Sequence, residues 1–164
     1  MDHSQEFLSD IKEYRERLDE KGLPLVFSIH HLCLLAGVSV TEILEICKSD
    51  RIRYYKRFKL KKKRGGFRVI QTPENTLKFL HRWILKNILN RVESHEKCFG
   101  FDKESSIVKN ASAHLGQPAI LKIDLQRFYD SINEKRIYGV ILSFGYHPNL
   151  AVYMAKLLTE RPDS

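Results

Sequence analysis

No run of apolar residues in this chain is long. The most apolar stretches, such as residues 32–37, fall far short of the roughly 18–20 residues a membrane-spanning helix needs. The opening Met1-Asp2-His3-Ser4 is polar and leads into mixed charge, without a signal-peptide profile, so the expected location is cytoplasmic, with no membrane partner. Cysteine is sparse. Cys33, Cys47 and Cys98 are odd in number, widely spaced and form no Cys-x-x-Cys, which reads as reduced, mostly buried thiols rather than disulfides or metal ligands. His30-His31 and the set His81, His95 and Cys98 also lack metal-site spacing. Ser131 and Ser143 lack a base partner, so no hydrolase triad is visible. No low-complexity tail, Gly/Ser-rich linker or internal repeat interrupts the 164 residues, and 43% hydrophobic content suffices for one core, or for one and part of another.

One absence is local. Residues 51–68 contain no Asp or Glu but ten Lys or Arg, against a net charge of +8 for the whole chain. Without this ribbon the remainder sits near −2. Positive charge gathered in one place favours a polyanion through counterion release.

Around the ribbon, periodicity predicts an α+β chain. Phe7, Ile11, Tyr14 and Leu18 mark a helix over residues 4–20, ended by Gly22 and Pro24. A short helix over 28–36 stops at Gly37. Ser39 and Glu42 form a capping box for a third helix carrying Ile43, Leu44 and Cys47. This helix pair resembles a helix-turn-helix. However, its second member offers Glu42 and Glu45 against Lys48 alone, a poor complement to phosphate, and a packing hairpin is the expected role. Residues 54–60 alternate, with Phe58 and Leu60 on one face and Arg57, Lys59 and Lys61 on the other. A turn at Lys63-Arg64-Gly65-Gly66 returns the chain as a second strand over 67–71.

Thr72-Pro73 is expected to cap the next helix, with Pro at its first position. Leu77, Leu80, Trp83 or Ile84, and Ile88 line its buried face to about Val92. Residues 91–103 read as a loop. Ser105 or Ser106 caps a helix to about Leu115, and Gly116 and Pro118 break it. Residues 119–123 read as a mostly buried strand delivering Asp124. Asn133 caps a helix to Phe144, and Pro148 opens a last helix over 149–158.

Two segments carry chemistry. In the first, Ile123-Asp124-Leu125-Gln126-Arg127-Phe128-Tyr129-Asp130-Ser131-Ile132, a carboxylate ends an apolar strand, where it is costly unless used. Mg²⁺ would use it, since that ion prefers hard oxygen donors and a few protein carboxylates beside phosphate oxygens. The alternative is an Asp that caps a turn or pairs with Lys122 or Arg127. The second is the hairpin. Its Lys and Arg residues flank a glycine turn and could reach a triphosphate, while Tyr54, Tyr55, Phe58 and Phe67 interleave aromatic rings as single-strand binding requires. A solvated basic loop is the alternative.

In order and spacing these pieces resemble the retron-type bacterial reverse transcriptases. The resemblance runs from Tyr55 to about Thr159. Its motifs are Phe58-x-Leu60-x-Lys62-Lys63-x-Gly65-Gly66-x-Arg68-x-Ile70-x-x-Pro73, then Leu77-Lys78 before Trp83-Ile84-Leu85. Gly100-Phe101, Ser106-Ile107, Asn110-Ala111 and His114 follow. The last are Asp124-Leu125-x-x-Phe128-Tyr129-x-Ser131-Ile132 and Leu157-Leu158-Thr159. The Pro-Leu-Gly-Ile-Pro pattern of group II intron enzymes is missing after Arg68, which favours the retron branch.

The resemblance implies an RNA-directed DNA polymerase working by two-metal nucleotidyl transfer with Mg²⁺. It divides the chain into an N-terminal helical region (1–50), mostly helical fingers with the basic hairpin (51–117) and an incomplete right-hand palm (118–164). Asp124 becomes the catalytic, metal-binding aspartate, the Leu125 backbone carbonyl a second ligand, and Tyr129 the gate against a ribose 2′-OH. Lys62 or Lys63, with Arg68, would hold the dNTP triphosphate. Arg57, Lys59, Lys61, Arg64, Ser106, Asn110 and His114 would contact nucleic acid. Implied partners are a structured RNA template and primer, a C-terminal half carrying Tyr-x-Asp-Asp or an effector protein, and a role in phage defence.

Arg127 and Lys61 depart from the family pattern, the latter replacing a usual proline. No Tyr-x-Asp-Asp occurs here, so the 164-residue chain is expected to be inactive alone. The alternatives are a non-catalytic RNA-binding module or remnant of a reverse transcriptase, and a helix-turn-helix regulator.

Overall fold

The structure, a computed structural model, describes residues 3–63, 65–100 and 106–160. The N-terminal periodicity becomes α1 (His3–Asp19). Only its second half meets the core: Tyr14 and Leu18 are buried, whereas Phe7 is exposed. The Tyr14 hydroxyl donates to the Val26 carbonyl at 2.6 Å and Lys21 Nζ to the Ser143 carbonyl at 2.7 Å, so this end is tied to a loop and to a distant helix end.

The helix pair forms as expected. In α2 (Ile29–Ala36) Ser28 Oγ accepts from the His31 N–H, and Gly37 closes the helix at φ 67°, a left-handed turn that suits glycine. In α3 (Val40–Lys48) Ser39 Oγ accepts from the Glu42 N–H. Ile43, Ile46 and Cys47 bury, leaving Glu42 and Glu45 on the exposed face. An acidic outer face and an apolar inner one describe a packing hairpin.

Strands β1 (Tyr55–Lys61) and β2 (Phe67–Pro73) pair antiparallel, with Phe58 opposite Ile70 and Leu60 opposite Arg68. The ladder runs two residues past Gln71, so Pro73 faces Tyr55 as the last strand residue instead of opening the next helix. A proline is tolerated there because the ladder needs no further donor. Glu74 takes the N-cap position, and α4 (Asn75–Asn87) buries Leu77, Leu80 and Ile84. Ile88 is buried just beyond, and the 3-10 turn Leu89–Arg91 ends the helical path. Trp83 packs at the edge of the core, half-buried.

Ser106 caps α5 (Ile107–Ser112), which ends before Leu115; Ser105 lies outside the described residues. Asn133 caps α6 (Glu134–Ser143), and His147 caps α7 (Pro148–Leu158), with Pro148 at its start. One hydrophobic cluster joins α1, α2, α3, α4, α6 and α7. Cys33 and Cys47 are in it; Cys98 is exposed, a correction for one of the three thiols. Among the described residues no helix is long and apolar enough to cross a membrane.

The larger correction concerns residues 119–123. They form no strand and are not buried: Ile120, Leu121 and Ile123 are 65%, 84% and 72% exposed. A strand is stabilised by a ladder and by a covered face. Among the described residues the hairpin is the only sheet, so this apolar run has neither. Between Val92 and Arg136 no described residue is buried. The segment bearing Asp124 is therefore an unpacked excursion from a helical core.

Candidate nucleotide and nucleic-acid site

The hairpin leaves the core at Tyr55 and Pro73 and is exposed along most of both strands. Residues opposite one another in an antiparallel pair share a face. One face therefore carries Lys56, Phe58, Leu60, Arg68, Ile70 and Thr72, the other Arg57, Lys59, Lys61, Phe67, Val69 and Gln71. Lys62 donates its N–H to the Gly66 carbonyl at 3.0 Å, which continues the alternation and puts it on the Arg68 face. Lys63 lies in the turn, where Gly65 and Gly66 have φ of 90° and 77°, and Arg64 lies outside the described residues. Each face thus mixes cations with exposed apolar side chains. Phe58 and Leu60 flank Arg68, and Phe67 and Val69 stand among the lysines.

Arg57 is not free. It donates to Glu160 Oε1 at 2.9 Å, and Gln71, its cross-strand partner, donates to the same oxygen. The residue just past α7 thus pins the base of the hairpin. Above it, Arg51 is buried; it pairs with Glu134 at 2.7 Å and donates through Nε to the Thr159 carbonyl at 3.2 Å. Sequence reasoning missed Arg51, Glu134 and Glu160. The one available signal was Arg51, the first cation of the basic run, whose guanidinium is long enough to bridge two elements.

The Asp124 segment makes an open cleft of about 490 Å³, lined by Asp124, Leu125, Arg127, Phe128, Tyr129 and Asp130. Arg127 adopts φ 53°, an uncommon left-handed conformation for a residue with a side chain. Its Nε binds Asp130 Oδ2 at 3.0 Å, and its carbonyl accepts from the Ser131 N–H. The sharp bend sets the exposed Tyr129 ring edge-on to Phe128, centroids 5.4 Å apart. Because Arg127 is taken by Asp130, Asp124 has no ion-pair partner among the described residues. Its carboxylate and the Leu125 carbonyl are hard oxygen donors suited to Mg²⁺. Among the described residues, however, no three His, Cys, Asp or Glu side chains come together as a metal cage.

Ser106, Asn110 and His114 are all exposed. Ser106 spends its hydroxyl as the α5 cap, accepting from Lys109 N–H at 3.0 Å, and His114 falls in the turn after the helix. Phe101 lies outside the described residues.

No protein-family profile matches the chain. Individual relatives do. It is 33% identical to the retron Ec86 reverse transcriptase of Escherichia coli over 86% of its own length, and 30% identical to the retron Mx162 and Mx65 reverse transcriptases of Myxococcus xanthus over 93%. It spans 44%, 32% and 36% of those three proteins. The exposed basic hairpin, the Asp-Leu-x-x-Phe-Tyr bend and the sequence identity over most of the chain agree: it belongs to the retron-type reverse transcriptases and corresponds to the N-terminal region of one.

Proposed function

We propose that this chain is the fingers and first palm segment of an RNA-directed DNA polymerase acting on an RNA template and primer in the cytoplasm. The observation that carries the reading is an Asp124 without an ion-pair partner among the described residues, followed by an exposed Tyr129, in a chain similar to retron reverse transcriptases over most of its length. Residues 1–50, 51–117 and 118–164 serve as helical support, fingers and start of the palm.

Asp124 and the Leu125 carbonyl would hold Mg²⁺, which when bound would supply charge stabilisation for phosphoryl transfer. Tyr129 stands against the sugar and excludes a 2′-OH. Lys62 and Arg68 hold the triphosphate, and their common hairpin face favours Lys62 over Lys63. Lys59, Lys61, Arg64, Asn110 and His114 contact nucleic acid. Arg57 and Ser106 are poorer contacts, since Glu160 and the α5 cap already engage them. With one palm carboxylate the chain alone does not polymerise. A C-terminal half or an effector protein completes it, in a role such as phage defence.

The test has two parts. Primer extension by the isolated chain with Mg²⁺ and dNTPs should give no product, and clear synthesis would refute the claim of incompleteness. In RNA binding, Lys62→Ala and Arg68→Ala should weaken affinity while Asp124→Ala leaves it nearly unchanged. Equal loss in all three would contradict the metal role of Asp124 and favour a purely RNA-binding module.

A further inference from the structure

Helix α4 carries a second cationic surface outside the hairpin. Its sequence from Asn75 to Asn87 contains Lys78, Arg82 and Lys86 and no acid. Arg82 and Lys86 are exposed and Lys78 is half-buried. Phe79 and Leu85 stand among them, 54% and 50% exposed, while Leu77, Leu80 and Ile84 hold the opposite face in the core.

A merely solvated helix face looks different in this same molecule. On α1 the exposed cations are matched one helical turn away: Lys12 with Glu16, Arg15 with Asp19 and Arg17 with Glu13. On α4 the spacing of four residues instead stacks like charges, an arrangement that weakens a helix. Among the described residues, none of these three cations joins an ion pair. Glu74 at the N-cap lies one turn from Lys78 but forms no ion pair with it, so an anion from outside would relieve the repulsion along the row. Eight residues of helix span about 12 Å, so successive cations stand about 6 Å apart in a row that a nucleic-acid backbone can follow. An exposed aromatic beside such a row is a platform for a base.

We infer that the exposed face of α4, through Lys78, Arg82 and Lys86 with Phe79, binds a single-stranded stretch of RNA, separately from the hairpin face that carries Arg68. Three phosphates pair with the three cations and one base stacks on Phe79. The inference does not depend on polymerase chemistry.

The test measures binding of a fluorescently labelled, mixed-sequence single-stranded RNA oligonucleotide to the 164-residue chain across a salt series. In the K78Q/R82Q/K86Q variant the slope of log affinity against log salt should shrink in magnitude by about 2, the release expected from three contacts. Phe79→Ala should lower affinity roughly tenfold. Gln keeps helix propensity and removes repulsion, so the melting temperature should hold or rise. If the triple variant unfolds, Arg82→Gln alone decides, with an expected slope change of about 0.7. An unchanged slope in a folded variant overturns the inference, and so does unchanged affinity in Phe79→Ala. Lys62→Ala/Arg68→Ala run in parallel separates the claims: loss there with none at α4 sinks this inference and spares the proposed function, and the reverse pattern does the opposite.

Discussion

Arg51 Nη2 lies 2.7 Å from Glu134 Oε2 with both side chains largely out of solvent, joining the start of the basic run to the start of α6 across 83 positions of sequence. The same guanidinium reaches the Thr159 carbonyl beyond α7. Asp124 sits on the unpacked excursion that ends at Glu134. This pair is therefore a fixed point between the hairpin and the segment bearing the carboxylate.

Removing Arg51 takes away both its pair with Glu134 and its bond to the Thr159 carbonyl. Arg51→Ala should cost about 3 kcal/mol of unfolding free energy, read as a lower urea midpoint at unchanged slope. Glu134→Gln, which keeps an acceptor on the less buried side, should cost less. Equal and negligible effects would show that the pair contributes nothing to the fold.

Glu160 should behave differently. Its partner Arg57 is well exposed, so Glu160→Gln should change stability by no more than about 1 kcal/mol. It should, however, release a cation at the hairpin base. The salt slope of single-stranded RNA binding should grow in magnitude by about 0.7, and amide exchange near Tyr55 and Gln71 should quicken. An unchanged slope would mean that Arg57 plays no part in binding even when free.

Stability should form a plateau bounded by buried Cys47, Tyr14 and Tyr146 on the alkaline side and half-buried His81 on the acid side. On the alkaline side, burial pushes the Cys47 thiol from 9.0 up to about 11. Burial likewise raises the Tyr14 and Tyr146 hydroxyls. The folded state then holds protons that the unfolded chain gives up, so the stability present below about pH 9 is lost as pH climbs towards 11. On the acid side, burial lowers the His81 imidazole from 6.5, partly offset by its bond to the Leu157 carbonyl. Stability present above about pH 6.5 is lost as pH falls through the depressed value. Urea titrations across pH should show both limbs, Cys47→Ala trimming the alkaline one and His81→Gln the acid one. A monotonic profile would contradict these burial assignments.

The exposed run ending at Asp124 gives the sharpest check on the fold. Leu121→Thr with Ile123→Thr should leave the unfolding midpoint within about 0.5 kcal/mol, as for surface positions. It should also reduce aggregation by breaking an exposed apolar run. A loss of several kcal/mol would mean these side chains are packed in solution.

Local rules made much of this legible. Ser28, Ser39, Asn133 and Pro148 begin helices where their side chains or ring dictate, and Gly37 ends one, because capping depends on residues a turn apart. Alternation about a double glycine wrote the hairpin, and Asp-Leu-x-x-Phe-Tyr marked the candidate site. Folding in three dimensions decided the rest. Residues 119–123 have a strand's composition, yet composition supplies neither a ladder nor a covered face, and among the described residues the chain offers neither. Arg57 looked like its basic neighbours until Glu160, 103 positions away, came within 2.9 Å of it. Arg51 became a buried clamp for the same reason: ion pairs depend on distance in space, and that is set only when helices far apart in sequence share one core.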